Sequence, residues 1–237
     1  MANWTTASRA TATRFAPFSL RSAHLLLFNF SRVGASPPIK LKTKWTTQHS
    51  KKLIKQAHEN AVNHGFYDGV TQSVEAMQER LMLVISEIAE LMEADRKARW
   101  FTRGTLFSTD ELNHMTNGAV PMADFVEYYK NSVKGSAEEE LADICIRCFD
   151  MLCFVGADEV SINHPYRVAD QCRHLTVPIL CYTLCHELTH EYIKDALTCV
   201  VQAVVQWCEE NEIDLMLHIK AKMFFNKSRP RKHGKAY

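Results

Sequence analysis

Apolar residues recur at helical spacing between residues 71 and 99, and this repeat constrains the fold more than any other feature of the chain. Steps of three and four residues place them on one stripe of an α-helix, as in a helix that packs into a bundle. The stripe consists of Val74, Met77, Leu81, Val84, Ile88 and Leu91. Such a helix needs partner helices that cover the stripe.

Further helices are predicted on both sides of this segment. One begins near residue 46, after Ser/Thr start signals, and ends before Gly65. The others are predicted over 122–131, 136–155, 179–210 and 215–228, and 100–121 is expected to be a connection. No stretch shows the sustained alternation of a strand. The pattern therefore predicts an all-α bundle with an extra long helix over 179–210.

Charge is distributed unevenly along the 237 residues. Residues 1–58 contain ten basic and no acidic residues, whereas the rest holds the other 18 basic and all 27 acidic residues, a net of −9. A body of this charge is a poor general binder of nucleic acid, because phosphate contacts need clustered cations. Residues 1–44 are interpreted as a transit peptide, as an upstream translated segment or as a basic disordered arm.

Hydropathy and cysteine content indicate the environment of the protein. No apolar run approaches the length of about 18 residues that a spanning helix needs, so no membrane partner is expected. Eight cysteines lie mostly in apolar surroundings and form no paired CxxC set, which indicates reduced, buried thiols. We expect a cytoplasmic protein, or one of an organellar matrix if residues 1–44 are a transit peptide.

Two predicted helices carry pairs of carboxylates. Glu87 and Glu90 are three residues apart beside the apolar stripe of their helix, where acidic groups cost stability unless a positive charge meets them. The helix over 136–155 is apolar around most of its circumference, except for one polar stripe that faces either solvent or an internal site. This stripe consists of Glu140, Asp143, Arg147 and Asp150. Four carboxylates from two packed helices would suit Mg²⁺.

Basic residues on the last predicted helix complement these acids. Lys222, Asn226 and Arg229 follow one face at steps of four and three, and more basic residues come after Pro230. Cations beside a carboxylate-bound metal suit a phosphate chain, because they neutralise oxygens that the metal does not bind. The alternative is a basic helix end that interacts with the helix dipole.

Three segments, SEIAELMEADRKAR, EEELADICIRCFDM and HIKAKMFFNKSRPRKHGKAY, resemble in this order the MazG-like nucleoside triphosphate pyrophosphohydrolases. That all-α superfamily includes dimeric dUTPases and dCTP pyrophosphatases. The resemblance covers about 46–99, 136–160 and 212–237. It implies one domain over 45–237 with insertions at about 100–135 and 160–210.

The resemblance also implies a chemistry. Glu87, Glu90, Glu140 and Asp143 would bind Mg²⁺, or Mn²⁺, with Glu87 or Glu90 as the general base. Substrate phosphates would contact Lys222, Asn226, Arg229, Lys232 and Lys235. The reaction would convert a nucleoside triphosphate and water to a monophosphate and pyrophosphate, in nucleotide house-cleaning by a homodimer or larger oligomer. For stacking of the base, the sequence offers Trp45 and Phe66.

A competing motif lies in the predicted long helix. His186, Glu187 and His190 fit H-E-x-x-H, in which two histidines bind Zn²⁺ and the glutamate activates water in a metallopeptidase. Glu209 or Glu210 would then supply a third ligand. Histidines on a packing helix are the structural alternative, and a non-catalytic helical interaction module is a third interpretation of the whole chain.

Overall fold

The computed structural model describes residues 45–101, 109–118, 120–161 and 165–234. Throughout these ranges the regular structure is helical, with no strand, as the sequence predicts. The α-helices are α1 (Thr47–Asn63), α2 (Val74–Arg96), α3 (Thr109–Thr116), α4 (Met122–Tyr128), α5 (Ala137–Phe154), α6 (Arg167–Gln171), α7 (Val177–Glu187), α8 (Ile193–Glu210) and α9 (Leu215–Lys227). The segment 1–44 lies outside the described residues, as does Lys235.

Helix α5 is the central element, because α1, α2, α8 and α9 all pack against it. Its apolar side chains, such as Leu141, Phe149 and Leu152, are fully buried. The predicted stripe on α2 meets this helix through Val84, Ile88 and other buried residues of one core cluster. An apolar helix covered on several sides is the arrangement that its composition predicts.

Side-chain caps fix where the helices that carry the carboxylates begin. The hydroxyl of Ser73 accepts from the backbone N–H of Ala76 at the start of α2. At the start of α5, Ser136 Oγ accepts from the backbone N–H of Glu139 at 3.2 Å. These caps satisfy N–H groups that have no partner within the helix. In α5 the cap places three successive glutamates in the first turn, where the helix dipole favours negative charge.

The segment 100–135 contains more helix than the sequence predicts. Helix α3 lies within the stretch expected to be a connection, and α4 continues into a π-helical turn at Tyr129–Val133. Together they cover the side of α9 that faces away from the main core, in a second cluster that includes Leu112, Phe125 and Phe225. The rings of Tyr129 and Phe225 stack there with centroids 4.5 Å apart.

The segment predicted as one long helix over 179–210 is two helices, α7 and α8. A turn at 188–192 separates them, in which Thr189 N–H donates to the carbonyl of His186 at 3.1 Å. The Thr189 hydroxyl donates to the same carbonyl at 2.7 Å. Local side-chain bonds of this kind give the backbone an alternative to the helix. None of the described helices is long and apolar enough to cross a membrane.

The central position of α5 leads to a stability prediction. Leu152→Ala removes a side chain with 0% exposure from the main core, and we expect a loss of about 2–5 kcal/mol in the free energy of unfolding. Met82→Ala is the control, since Met82 is 59% exposed, and should change stability by no more than about 0.5 kcal/mol. Urea unfolding followed by circular dichroism measures both variants. Equal stability of the two would contradict the central packing of α5.

Candidate metal centre and phosphate-binding cleft

A cleft of about 270 Å³ lies among α1, α2, α5 and α9. Its lining combines a carboxylate cluster with cationic and aromatic side chains from the end of the chain. The charged residues on its wall are Glu87, Glu90, Lys134, Glu139, Glu140, Asp143, Arg147, Asp150, Lys222 and Arg229. The polar stripe of α5 therefore faces an internal site, which decides between the two orientations that the sequence left open.

Three of the four predicted metal ligands lie together. One carboxylate oxygen from each of Glu87, Glu140 and Asp143 falls within 4.8 Å of the other two. Glu87 and Glu140 are only 7% and 6% exposed, and the Asp143 side chain is 13% exposed. The fourth residue, Glu90, is exposed and lines the cleft without joining this group. The cluster offers oxygen ligands alone, which suit Mg²⁺ or Mn²⁺.

The electrostatics of the cluster favour a cation. Burial raises the pKa of Glu140 to about 9, with further contributions from the charges of Asp143 and Glu139. Burial also raises the pKa of Glu87 to about 6, and Asp143 adds to this effect. Carboxylates crowded in a poorly solvated site resist ionisation unless positive charge is present. A divalent ion would supply that charge.

Lys222 already supplies part of the positive charge that the carboxylate cluster needs. Its Nζ lies 2.6 Å from Glu139 Oε1 and 2.5 Å from Asp143 Oδ2. Burial alone would lower the pKa of Lys222, but the two carboxylates outweigh it and raise the pKa above its ordinary value. Glu139 also accepts from the Tyr129 hydroxyl at 3.1 Å and from the backbone N–H of Gly135. Lys222 thus ties α9 to the first two turns of α5.

Arg147 and Asp150 extend the charged wall toward α1. Arg147 Nε donates to Glu87 Oε1 at 3.0 Å, so the guanidinium partly offsets the charge of a predicted metal ligand. Asp150 Oδ1 accepts from the Tyr67 hydroxyl at 2.7 Å and lies 2.8 Å from His58 Nδ1. These bonds leave Asp150 at the far end of the cleft from Glu139. The polar stripe of α5 therefore contributes both acidic and basic side chains to the wall of the cleft.

The end of α9 and the segment after it carry the remaining predicted phosphate contacts. Asn226 and Arg229 line the cleft, whereas Lys232 does not. The backbone N–H of Lys232 instead donates to the carbonyl of His64 at 2.7 Å, which holds this segment against the end of α1. Lys232 and His233 have left-handed backbone conformations, with φ of 47° and 52°. The turn directs His233 into the cleft and Lys232 away from it.

Asn226 is an unusual wall residue. It is 6% exposed, and its Oδ1 has no hydrogen-bond partner. A buried polar atom without a partner costs free energy, so a ligand group or ordered water is expected beside it. Among the described residues, Asn226 and His233 are the two cleft-lining residues with such an atom, and similar atoms occur elsewhere in the protein.

The two residues proposed for base stacking have different positions. Trp45 is buried in the main core, 4% exposed, where its ring contacts Phe149 at a centroid distance of 6.5 Å. That burial contradicts the stacking prediction, because a nucleobase cannot reach the ring. Phe66 does line the cleft. Its ring lies edge-to-face with His233 at 5.1 Å, so an aromatic pair stands at this end of the cleft.

Glu139, Arg147 and His233 belong to the cleft but were given no role from the sequence. For Glu139 the signal was its place beside Glu140 in the first turn of α5. For Arg147 it was its membership of the polar stripe, which left the orientation undecided. His233 belongs to the third segment of the resemblance, but no role was assigned to it, and the left-handed turn after Pro230 directs it toward the cleft.

The H-E-x-x-H motif has a geometry unlike that of a metallopeptidase helix. Helix α7 ends at Glu187, so His190 lies in the following turn rather than one helical turn beyond His186. The proposed third ligands lie near the C-terminal end of α8, a helix of 18 residues that begins three residues after His190. There Glu209 and Glu210 pair with Arg173 and His174. The motif therefore does not assemble the predicted peptidase site.

Comparison with known proteins adds no assignment: no family model, curated protein or solved structure matches the chain.

The burial of Lys222 leads to a second prediction. Lys222→Met would leave Glu139 and Asp143 without their cation, and we expect the metal-free protein to lose about 3–5 kcal/mol of unfolding free energy. Lys220 is the control, because it lies on the same helix but is exposed, and Lys220→Met should change stability by at most about 0.5 kcal/mol. Urea unfolding in EDTA measures the difference. Matched stabilities would show that Lys222 does not compensate the cluster.

Proposed function

We propose that the protein is a Mg²⁺-dependent nucleoside triphosphate pyrophosphohydrolase that yields a nucleoside monophosphate and pyrophosphate. The observation that carries this proposal is the juxtaposition of a buried carboxylate cluster with one buried and one half-buried cation in one cleft. Glu87, Glu140 and Asp143 supply the acidic side, and Lys222 and Arg229 supply the basic side. A metal-bound polyphosphate needs both.

The chemistry of the ligands fits Mg²⁺. Glu87, Glu140 and Asp143 would hold it, and Glu90, the fourth proposed ligand, lines the same cleft outside this group. When bound, the ion would neutralise phosphate charge and lower the pKa of a coordinated water. The same oxygen ligands would accept Mn²⁺.

Lys222 and Arg229 would contact a substrate from different parts of the cleft. Lys222 lies inside the acidic cluster, so its ammonium can share its charge between the carboxylates and a nearby phosphate oxygen. Arg229 is half-buried in the cleft wall, and its Nη2 donates to the carbonyl of His233 at 3.4 Å. Its guanidinium keeps other N–H groups for bidentate contact with phosphate. The amide of Asn226 can donate to the same phosphate chain through Nδ2.

Glu90 is the better placed of the two glutamates proposed as the general base. Glu87 Oε1 is already engaged by Arg147, whereas Glu90 is exposed at the rim of the cleft. Glu90 would accept a proton from water while the water oxygen bonds to the α-phosphorus. The bond from that phosphorus to the α–β bridging oxygen would break, and pyrophosphate would leave with its electron pair.

The size of the cleft suggests how a nucleotide would fit. At about 270 Å³ it is close to the lower end of small-molecule pockets, which begin near 300 Å³. The triphosphate would therefore occupy the charged interior, and the base would lie near Phe66 and His233. Because few groups would contact the base, we expect phosphate-chain length to matter more than base identity.

The assembly and the location of the protein remain part of the proposal. The adjoining helices α2 and α7 expose large apolar side chains, among them Met82, Ile179 and Tyr182. Apolar side chains on a helix surface are suited to association, which supports the proposed homodimer. All eight cysteines are unpaired and none is exposed, which supports a reducing compartment such as the cytoplasm or an organellar matrix.

Activity with a panel of nucleotides tests the proposed reaction. With Mg²⁺, we expect release of pyrophosphate from NTPs or dNTPs and no such release in EDTA. Glu140→Gln should abolish turnover, because it removes one carboxylate ligand while preserving side-chain size. The control is Glu93→Gln, which changes an exposed acid of α2 that pairs with Lys97 outside the cleft. Full activity of Glu140→Gln would contradict the proposal.

Metal binding can be tested without turnover. Mg²⁺ at about 100 times its Kd should add about 2.7 kcal/mol to the stability of the wild type, since it binds only the folded state. The shift in melting temperature should disappear in Glu140→Gln and persist in Glu93→Gln. Thermal unfolding at several Mg²⁺ concentrations measures both. An unchanged shift in Glu140→Gln would remove that residue from the metal site.

A further inference from the structure

A second group of potential metal ligands lies at the end of α7, away from the cleft. His186, Glu187 and His190 each offer one ligand atom, and these atoms fall within 4.8 Å of one another. His186 Nδ1 is 3.5 Å from Glu187 Oε1, and His190 Nε2 is 3.6 Å from Glu187 Oε2. The carboxylate thus lies between two imidazoles.

The spacing resembles that of a coordinated ion. Zinc bonds of about 2.0–2.1 Å in a tetrahedron place neighbouring ligand atoms about 3.4 Å apart. Each N···O distance is close to that value and exceeds the ordinary hydrogen-bond range of about 2.7–3.2 Å. The two distances involve different oxygens of Glu187, so a single ion would be held by both carboxylate oxygens. A small cation between these atoms would need little rearrangement of the backbone.

Glu187 is largely buried, whereas the histidines are accessible. Its side chain is 10% exposed, and the side chains of His186 and His190 are 62% and 56% exposed. The carboxylate is therefore largely shielded by the protein, and an ion can approach it from solvent beside the two histidines.

We propose that His186, Glu187 and His190 form a second metal site, which binds Zn²⁺ or a similar borderline divalent ion. Two imidazoles with one carboxylate suit Zn²⁺ and discriminate against Mg²⁺, which prefers oxygen ligands alone. All three ligands come from the end of α7 and the turn that leads to α8. The ion fastens that turn, and the site is not a peptidase centre, because Glu187 acts as a ligand rather than as a base.

Zn²⁺ titration of the metal-stripped, full-length protein against a chromogenic chelator tests this site. The titration is done in the Glu140→Gln background with excess Mg²⁺, so that the carboxylate cleft does not compete for zinc. Loss of even an outer partner of a metal ligand costs about tenfold in affinity, so His186→Ala and His190→Ala should each weaken binding at least about tenfold.

The control is His174→Ala. His174 is 77% exposed and lies 3.3 Å from Glu210, so it is an imidazole–carboxylate pair without a second histidine. This variant should bind Zn²⁺ like its parent. Equal affinity in all three histidine variants would overturn the proposal, whatever the result for nucleotide hydrolysis.

Co²⁺ in place of Zn²⁺ identifies the ligands. We expect visible bands of a Co²⁺ complex that vanish in His186→Ala, without the near-ultraviolet charge transfer of a thiolate ligand. A strong thiolate band would place the ion on cysteine and overturn the assignment. Thermal unfolding adds a structural readout: Zn²⁺ should raise the melting temperature in the Glu140→Gln background and not in the His186→Ala/His190→Ala variant of that background.

Discussion

The ammonium of Lys222, held between Glu139 and Asp143, is the contact on which the cleft depends. These side chains lie where α9 packs on the central helix α5, and all three are largely removed from water. The desolvation of such groups is expensive, and their attraction offsets it only when the geometry and hydrogen bonding are good. Glu139 meets that condition, since it also accepts from Tyr129 and from the backbone of Gly135. Glu140 is left without an ion pair of its own among the described contacts, which makes it the group most in need of a further cation.

The local backbone explains why these acids come together. Gly135 has a left-handed φ of 75°, and a Cβ at this position would lie 3.0 Å from Arg99 Nη1. The tight turn brings its N–H onto Glu139 just before Ser136 starts α5. The first turn of the most buried helix therefore holds successive carboxylates, with the dipole of the helix in their favour. The fold accepts a cost in stability at this point, which is typical of positions selected for binding rather than for packing.

The packed faces of the helices and most of the carboxylate cluster were predictable, because the spacing of apolar residues along a helix shows which face is buried. The stripes on α2 and α5 identified the packed faces. The pairs Glu87/Glu90 and Glu140/Asp143 predicted a shared cluster, which the structure forms without Glu90. Other features depend on contacts that no local pattern reports. The apolar spacing breaks only once, at a step of five residues between Leu188 and Ile193, which is a weak sign of the turn between α7 and α8. Trp45 was taken as a stacking residue because an aromatic side chain has the same composition signal in a core as in a pocket.

The orientation of a polar stripe on an apolar helix was the hardest feature to predict. Glu140, Asp143, Arg147 and Asp150 would show the same spacing on a solvated face. What distinguishes the two cases is whether other helices bring complementary charge, and here α9 brings Lys222 and α2 brings Glu87. Such long-range pairing depends on topology, which depends in turn on all the stripes together.

The two ligand clusters differ in their ligand atoms, so they would prefer different metal ions. The cleft offers carboxylates alone, largely buried and partly neutralised by Lys222 and Arg147, whereas the α7 turn offers imidazoles around one carboxylate at the surface. Oxygen ligands beside fixed cations favour an ion that keeps water and can also bind phosphate, which describes Mg²⁺. Neutral imidazoles add no negative charge, so they depend on the covalent character of the bond and favour Zn²⁺ over Mg²⁺. The two proposed sites would therefore prefer different ions, because their ligand chemistry differs.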